Sequence, residues 1–218
     1  MNQARIPSVP SLQQRNFTAR WLALAGVVGP IVFVGAFTLA GFLRPGYSPI
    51  HQAISDLGVG TNAWLLDIDC VVFGVLLLAF AIGFFLGMCQ VLADGWRLTC
   101  LILLILSGMG AINAGIFTEA PATVTVHWTL GFQLAVLPPV VVCGIVGWQW
   151  LRVSGWHGYG WYSLIAALVT LVLVAVEFWA FAPGTPLAPA HIGGLLERVL
   201  VLLVFAWHVV VDGDCSFG

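Results

Sequence analysis

The sequence predicts an all-α integral membrane protein that crosses the membrane six times as a bundle of helices. The first observation behind this prediction is composition: 61% of the 218 residues are hydrophobic and only 7% are charged, against about 25% charged residues in an average soluble domain. A chain with so little charge cannot cover a surface exposed to water. The second observation is that the apolar residues form long continuous runs. The third is that these runs do not alternate apolar and polar residues as β-barrel strands do.

A membrane-spanning helix needs about 20 mostly apolar residues, and six runs of the chain reach that length. They lie near 21–43, 63–92, 96–118, 126–151, 160–182 and 193–211. We therefore expect a polar tail at 1–20, a six-span domain at 21–211 and a second tail at 212–218. The first 20 residues lack the short apolar run and small-residue cleavage site of a signal peptide, so we expect them to stay attached.

The positions of the arginines predict the orientation of the bundle. The N-terminal tail and the even-numbered connections contain Arg5, Arg15, Arg20, Arg97 and Arg152. Only Arg44 lies in an odd-numbered connection, and the chain contains no lysine. Because cytoplasmic loops carry an excess of basic residues, we expect both termini in the cytoplasm. The first, third and fifth connections would then lie outside the cell membrane.

The first outer connection, "PGYSPIHQAISDLG" from Pro45 to Gly58, has the pattern of a short amphipathic helix. Ser48 is typical of an N-cap and Pro49 of the first helical position, and a glycine is typical of a helix end. Apolar residues follow at helical spacing, namely Ile50, Ala53, Ile54 and Leu57. Asp56 would lie near the C-terminal end, where a carboxylate opposes the helix dipole. We therefore expect a partner or a reaction to favour an aspartate there.

Polar residues within and beside the spans cluster toward the same outer end. An ionisable group in the hydrocarbon region costs at least about 2.5 kcal/mol, so such groups normally face one another or a wet cavity. We therefore expect a shared polar cavity that opens outward beneath the first connection. Its expected ligand-binding residues are Tyr47, Ser48, His51, Ser55, Asp67, Asn113 and Glu177.

The same end carries groups suited to acid–base catalysis. A carboxylate near a histidine can transfer protons when burial brings both pKa values toward neutrality. In this hypothesis Asp56 or Glu119 acts as the base and His127 as its acid–base partner. Arg198, beside Glu197, would hold a phosphate or a carboxylate. These five residues are the candidate catalytic set.

Arg198 is also expected to make the main ion pair inside the bundle. The sequence leaves three acids open as its partner, which are Glu177, Asp67 and Glu197.

No cofactor is predicted, because the five cysteines show no metal-binding spacing. An alternative hypothesis places zinc between His51, His127 and His191, one from each outer connection, since three histidines and a water form an open zinc site. The net charge of -2 excludes nucleic acid as a partner, because no basic patch is available to neutralise phosphates. The expected partner is a membrane lipid or isoprenoid, and protein partners stay open.

Four segments resemble, in their order along the chain, a prokaryotic membrane protein family known as domain of unknown function 998. They are "PGYSPIHQAISDLGVGTNAWLLD", "GAINAGIFTEA", "VHWTLGF" and "GGLLERVLVLLVFAWHV". Glu119 stands where members of that family usually carry an aspartate. The "ISDLG" loop is also distantly similar to six-helix Frag1/DRAM-like membrane proteins. One branch of those takes part in remodelling lipid anchors, so this similarity implies lipid chemistry.

Three functional hypotheses remain open. In the favoured one, the protein binds or modifies a lipid or isoprenoid at the outer leaflet by acid–base chemistry. In the second, it is a non-catalytic structural or partner-binding membrane protein whose charge pairs hold the helices in register. In the third, it is a small proton-coupled transporter with Asp67, Glu177, Glu197 and His208 along its path. The scarcity of polar residues in the inner halves of the other spans counts against the third.

Overall fold

The computed structural model describes residues 12–88, 91–182, 184–185 and 191–215. It is 80% helical, and no strand occurs in the part of the chain that it describes, which confirms the all-α prediction. The helices are α1 (Leu12–Ala23), α2 (Ala25–Leu43), α3 (Trp64–Gly87), α4 (Asp94–Ile116), α5 (Val124–Val126), α6 (Gln133–Trp150), α7 (His157–Phe181) and α8 (Gly193–Cys215). Of the two predicted tails, residues 1–11 and 216–218 lie outside the described residues.

Six helical segments of the described chain are long and apolar enough to cross a membrane, which confirms the predicted six-helix bundle. Helices α1 and α2 together form the first of them, Phe17–Leu43. The fourth, Val124–Trp150, consists of α5, a π-helical turn at His127–Phe132, and α6. Many large apolar side chains point outward, among them Ile31 and Phe42, as expected for a surface that faces lipid.

The six spans form a closed ring. Each span packs against the next one along the chain, and α8 also packs against α2. Connections 44–63 and 117–123, with the described part of 182–192, lie together at one end of the ring, which is called the site end below. The largest apolar core lies toward the opposite end and includes Phe84, Trp150 and Trp207. This arrangement leaves room inside the ring near the site end.

Ser107 of α4 compensates for a proline in α6. An α-helical carbonyl normally accepts from the N–H group four residues later, but the carbonyl of Ala135 faces Pro139, which has no N–H group. The buried hydroxyl of Ser107 donates to this carbonyl instead, at 2.6 Å. The bond satisfies the free carbonyl and holds α4 against α6.

The first connection does not form the predicted amphipathic helix. The N–H groups of His51 and Gln52 both donate to the carbonyl of Ser48, which closes a single turn. The backbone then breaks, and a short 3₁₀ helix follows at Ser55–Gly58. The predicted apolar stripe is buried except for Ile50, which is 48% exposed.

The helix is interrupted because other groups take the hydrogen bonds that would continue it. In a helix the N–H group of Ala53 would donate to the carbonyl of Pro49. It donates instead to the carboxylate of Asp56, at 2.9 Å, while the Pro49 carbonyl accepts from Arg198, at 2.8 Å. Aspartate side chains commonly compete in this way with helical bonding.

The expectation that Asp56 opposes a helix dipole is therefore wrong. Asp56 lies in the first turn of the 3₁₀ helix rather than in the last turn of a longer one. There its carboxylate reaches back to accept from the N–H group of Ala53, just upstream of the helix.

Candidate functional site

A cavity of about 110 Å³ lies inside the ring beneath the first connection. Four of the predicted site residues line it near the site end, which are Ser55, Asp67, His127 and Glu197. The deeper wall is mostly apolar, with Phe33, Phe73, Leu77, Val136, Leu200 and Val204. The volume is of the same order as the apolar cavity of about 150 Å³ that binds benzene in an engineered protein.

His208 marks the far end of this cavity. It follows Glu197 by eleven residues on α8, which corresponds to about 16 Å along the helix axis. The His208 ring is buried, and its Nδ1 lies 2.8 Å from the carbonyl of Val204. The cavity thus extends from polar groups at the site end to a buried imidazole deep inside the bundle.

Glu197 connects α8 to the first connection. Its carboxyl group, on a residue only 5% exposed, accepts a hydrogen bond from the N–H group of Ile54 at 2.5 Å. The neighbouring carbonyl of Ile50 accepts from the N–H group of Leu195 on α8, at 3.0 Å. The first connection, which covers the cavity, is therefore hydrogen-bonded both to the backbone and to a side chain of α8.

Arg198 does not form the predicted ion pair with Glu177, Asp67 or Glu197. Among the residues that the structure describes, the ion pair found is the one between Arg97 and Asp94, at 2.8 Å. The prediction is wrong because backbone carbonyls of the first connection lie within reach of the guanidinium, and carbonyl oxygens are hydrogen-bond acceptors that need no charge.

The guanidinium of Arg198 instead holds the first connection in place. Its Nη1 donates to the carbonyls of Pro49 at 2.8 Å, Gln52 at 3.1 Å and Gly194 at 2.8 Å. Its Nη2 donates to the hydroxyl oxygen of Tyr47 at 2.5 Å. Arg198 does not line the cavity.

Tyr47 links Arg198 to the backbone of the first connection. Its hydroxyl donates to the carbonyl of Ala53 at 2.7 Å while it accepts from Arg198. Burial raises the pKa of Tyr47 above its ordinary value, against the lowering effect of Arg198, so the hydroxyl keeps its proton at neutral pH and can donate. Arg44 adds a hydrogen bond to the carbonyl of Asp56.

His127 is held by a hydrogen bond from one of its two ring nitrogens. Its Nδ1 lies 2.8 Å from the carbonyl of Phe117, and because a carbonyl can only accept, Nδ1 carries the proton. In the neutral ring Nε2 is then an acceptor. His127 also begins the π-helical turn of the fourth span, a feature that is frequent at functional sites.

Glu119 is the acidic group of the third connection. It does not line the cavity itself but lies near Ser55 and His127, which do, and near Trp128. Burial raises the pKa of its carboxyl group above the usual value, and this effect outweighs the lowering by His127. Asp56 raises the pKa further. Glu119 therefore keeps a proton to a higher pH than an exposed glutamate does.

Other predicted site residues lie away from the cavity wall. Glu177 and Asn113 do not line it, and their buried side-chain oxygens have no hydrogen-bond partner among the described residues. Ser48 uses its backbone N–H group to donate to the side-chain oxygen of Gln52, at 2.9 Å.

The three histidines proposed as zinc ligands do not lie together around one point. The Nδ1 of His51 lies 2.6 Å from the carbonyl of His191, and that of His127 lies on another carbonyl. In the part of the chain that the structure describes, no three His, Cys, Asp or Glu side chains are grouped as they would be around a metal ion. The zinc hypothesis stays a prediction without a grouped ligand set.

One residue that positions the site was not predicted. A Cβ at Gly194 would overlap the backbone of Gln52, so only glycine lets the first connection approach the start of α8 this closely. The Gly193–Gly194 pair before an apolar run is the signal in the sequence that points to such an approach.

The chain matches a family model described as "Protein of unknown function (DUF998)" over residues 27–212. Neither a comparison with curated proteins nor one with solved structures gives a match. The similarity to Frag1/DRAM-like proteins stays a prediction. The matched residues include all of the first connection and the cavity wall, and the resemblance to domain of unknown function 998 is confirmed. This chain therefore belongs to the DUF998 family of proteins of unknown function.

Proposed function

We propose that this membrane protein binds a lipid or isoprenoid at the site end and modifies it by acid–base chemistry. The observation that carries the proposal is the distribution of polar groups in the cavity. They concentrate at the site end, and apart from Ser107 and His208 the deeper wall is apolar. An amphiphile whose buried apolar part is short fits this distribution, because about 110 Å³ buries a few carbons and the head group finds hydrogen-bond partners at the entrance.

The leaflet from which the ligand would enter follows from the orientation that the arginines predict. With both termini in the cytoplasm, the site end faces outward, so the ligand would enter from the outer leaflet.

The acid–base chemistry would depend on His127 and Glu119. The Nε2 of His127 is suited to accept a proton from a bound head group, because Nδ1 already donates to a carbonyl. Glu119, with its raised pKa, is suited to return a proton. Asp67 on the cavity wall would stabilise the positive charge that His127 acquires.

Binding is tested by the lipid that accompanies the purified protein. Val201→Trp places a large side chain in the cavity, whereas Val199→Trp places the same side chain on the lipid-facing side of α8, where Val199 is 45% exposed. We expect mass spectrometry to detect one retained amphiphile per chain in the wild type and in Val199→Trp, and a loss in Val201→Trp. Equal retention by both variants would overturn the proposed site.

Catalysis needs a separate test. A total polar lipid extract would be incubated with the protein in nanodiscs, and the lipid masses followed over time. We expect the wild type to convert a lipid, seen as a changed mass or, for an isomer, a changed chromatographic position. His127→Gln should convert none while it still retains the bound amphiphile. A retained amphiphile with neither change in the wild type would leave binding and rule out the acid–base step.

A non-catalytic function is the second candidate, and it has its own supporting observation. Two residues of the predicted catalytic set, Arg198 and Asp56, have their side chains bonded to the backbone of the first connection. Side chains engaged in this way stabilise a cover over a bound lipid without reacting with it.

A further inference from the structure

We propose that a groove on the outer face of the bundle beside Arg198 binds the phosphate of an anionic phospholipid. This site is separate from the cavity and goes beyond the function proposed for it. The groove has a volume of about 200 Å³, and its walls include Phe37, Thr38, Phe42, Tyr47, Pro49 and Arg198. It lies between the last turns of α2 and the first connection.

The first argument is charge. No carboxylate lies within ion-pair distance of Arg198 among the described residues. The adjacent Glu197 directs its carboxyl group to the N–H group of Ile54 under the first connection. An arginine within a membrane span normally has partners for its charge, and the phosphate of a lipid head group is an anion found where spans end.

The second argument is the number of donors. A guanidinium carries five N–H groups. Nη1 uses its two on backbone carbonyls, and Nη2 uses one on Tyr47. The second N–H of Nη2 and the N–H of Nε have no acceptor in the described part of the chain. Nε is also not among the buried polar atoms without a partner, so a ligand can reach it. Arg198 can therefore bind a phosphate oxygen and still hold the first connection.

The third argument is the direction in which the groove opens. Phe42 on its wall is 86% exposed, and Thr38 on the same wall is exposed as well. An exposed phenylalanine beside an arginine suits a phospholipid, since acyl chains contact the ring and the phosphate contacts the guanidinium. A free phosphate ion would make no use of the apolar wall.

The test compares lipid affinities of the detergent-solubilised protein by native mass spectrometry. Phosphatidylglycerol and phosphatidylcholine would be titrated separately. We expect the wild type to prefer phosphatidylglycerol, and Thr38→Trp, which fills the groove, to bind it about tenfold more weakly, the scale of one charge-assisted hydrogen bond. Leu39→Trp, one residue along on the same helix and also lipid-facing, should bind like the wild type.

Several outcomes would overturn the inference. They are equal affinity of the wild type for both lipids, equal behaviour of Thr38→Trp and Leu39→Trp, or stabilisation of the protein by inorganic phosphate as strong as that by phosphatidylglycerol. Val201→Trp, which fills the cavity, should keep the preference for phosphatidylglycerol. The failure of this inference and the failure of the proposed function are thereby distinguished.

Discussion

Glu177 lies on α7 with only 1% of its surface exposed, and neither of its carboxyl oxygens has a hydrogen-bond partner among the described residues. A buried polar group without a partner destabilises the folded state by about 1–3 kcal/mol. We therefore expect Glu177→Met, which keeps a similar volume, to raise the free energy of unfolding by about that amount. The thermal midpoint of the purified protein in detergent measures this change.

Glu197→Met is the matched control for Glu177→Met. Glu197 is buried on the neighbouring helix, but its carboxyl group accepts from Ile54, so the same substitution should lower the thermal midpoint. A lower midpoint in Glu177→Met as well would contradict the prediction and indicate that its carboxyl group has a partner.

At the scale of single residues, the sequence is a better predictor of which side chains lie together in the cavity than of the hydrogen-bond partners of those side chains. The membrane excludes isolated polar groups, so composition and depth predicted a shared polar cavity, and four of the twelve residues predicted for the site, Ser55, Asp67, His127 and Glu197, line it. The partners of Arg198 could not be predicted in the same way. Apart from the Tyr47 hydroxyl they are backbone carbonyls, which every residue carries, and two of the three carbonyls belong to residues about 150 positions earlier in the chain.

The hydrogen bond between Ser107 and the carbonyl of Ala135 joins two spans at the cavity wall. Its removal should therefore weaken the packing of α4 against α6. Ser107→Ala leaves the Ala135 carbonyl buried without a donor, because Pro139 has none to offer. We expect a loss of about 1–3 kcal/mol in the free energy of unfolding, measured by thermal or denaturant unfolding in detergent.

A double-mutant cycle isolates the cause. Pro139→Ala restores the N–H group that a regular helix would direct to Ala135, so Ser107→Ala should destabilise much less in that background. An equal loss in both backgrounds would show that the hydroxyl of Ser107 matters for packing and not for the carbonyl freed by the proline.

Helical periodicity was a sound guide to the spans and a poor one to the first connection. In the spans, backbone groups have no acceptor other than their own helix, so an apolar run of sufficient length forms one. Residues 45–58 lie at the edge of the membrane, where the side chains of Asp56, Glu197 and Arg198 compete for the same backbone groups. The apolar spacing still decides which residues are buried, but it no longer decides the backbone conformation.

For the whole molecule, composition predicted the number of spans but not their arrangement. Six apolar runs with short connections must form antiparallel neighbours, and this much follows from length alone. The closure of the ring by α8 against α2 depends on side chains from distant parts of the chain, such as Phe33 and Phe205, whose ring centroids lie 5.7 Å apart. The cavity exists because the ring closes, so it could be expected only as a consequence of polar residues at one depth.

The orientation of this ring decides which leaflet supplies the cavity, and the arginines predict it. Arg97 and Arg152 lie at the end opposite the site, with their guanidinium groups 4.6 and 4.8 Å from aromatic ring centroids, as expected at a membrane interface. In a background without the native cysteines, Ile50→Cys should react with a membrane-impermeant maleimide in intact cells. Ser154→Cys, exposed in the 151–156 connection, should react only after permeabilisation. The reverse pattern would place the site end in the cytoplasm and direct the search for a ligand to the inner leaflet.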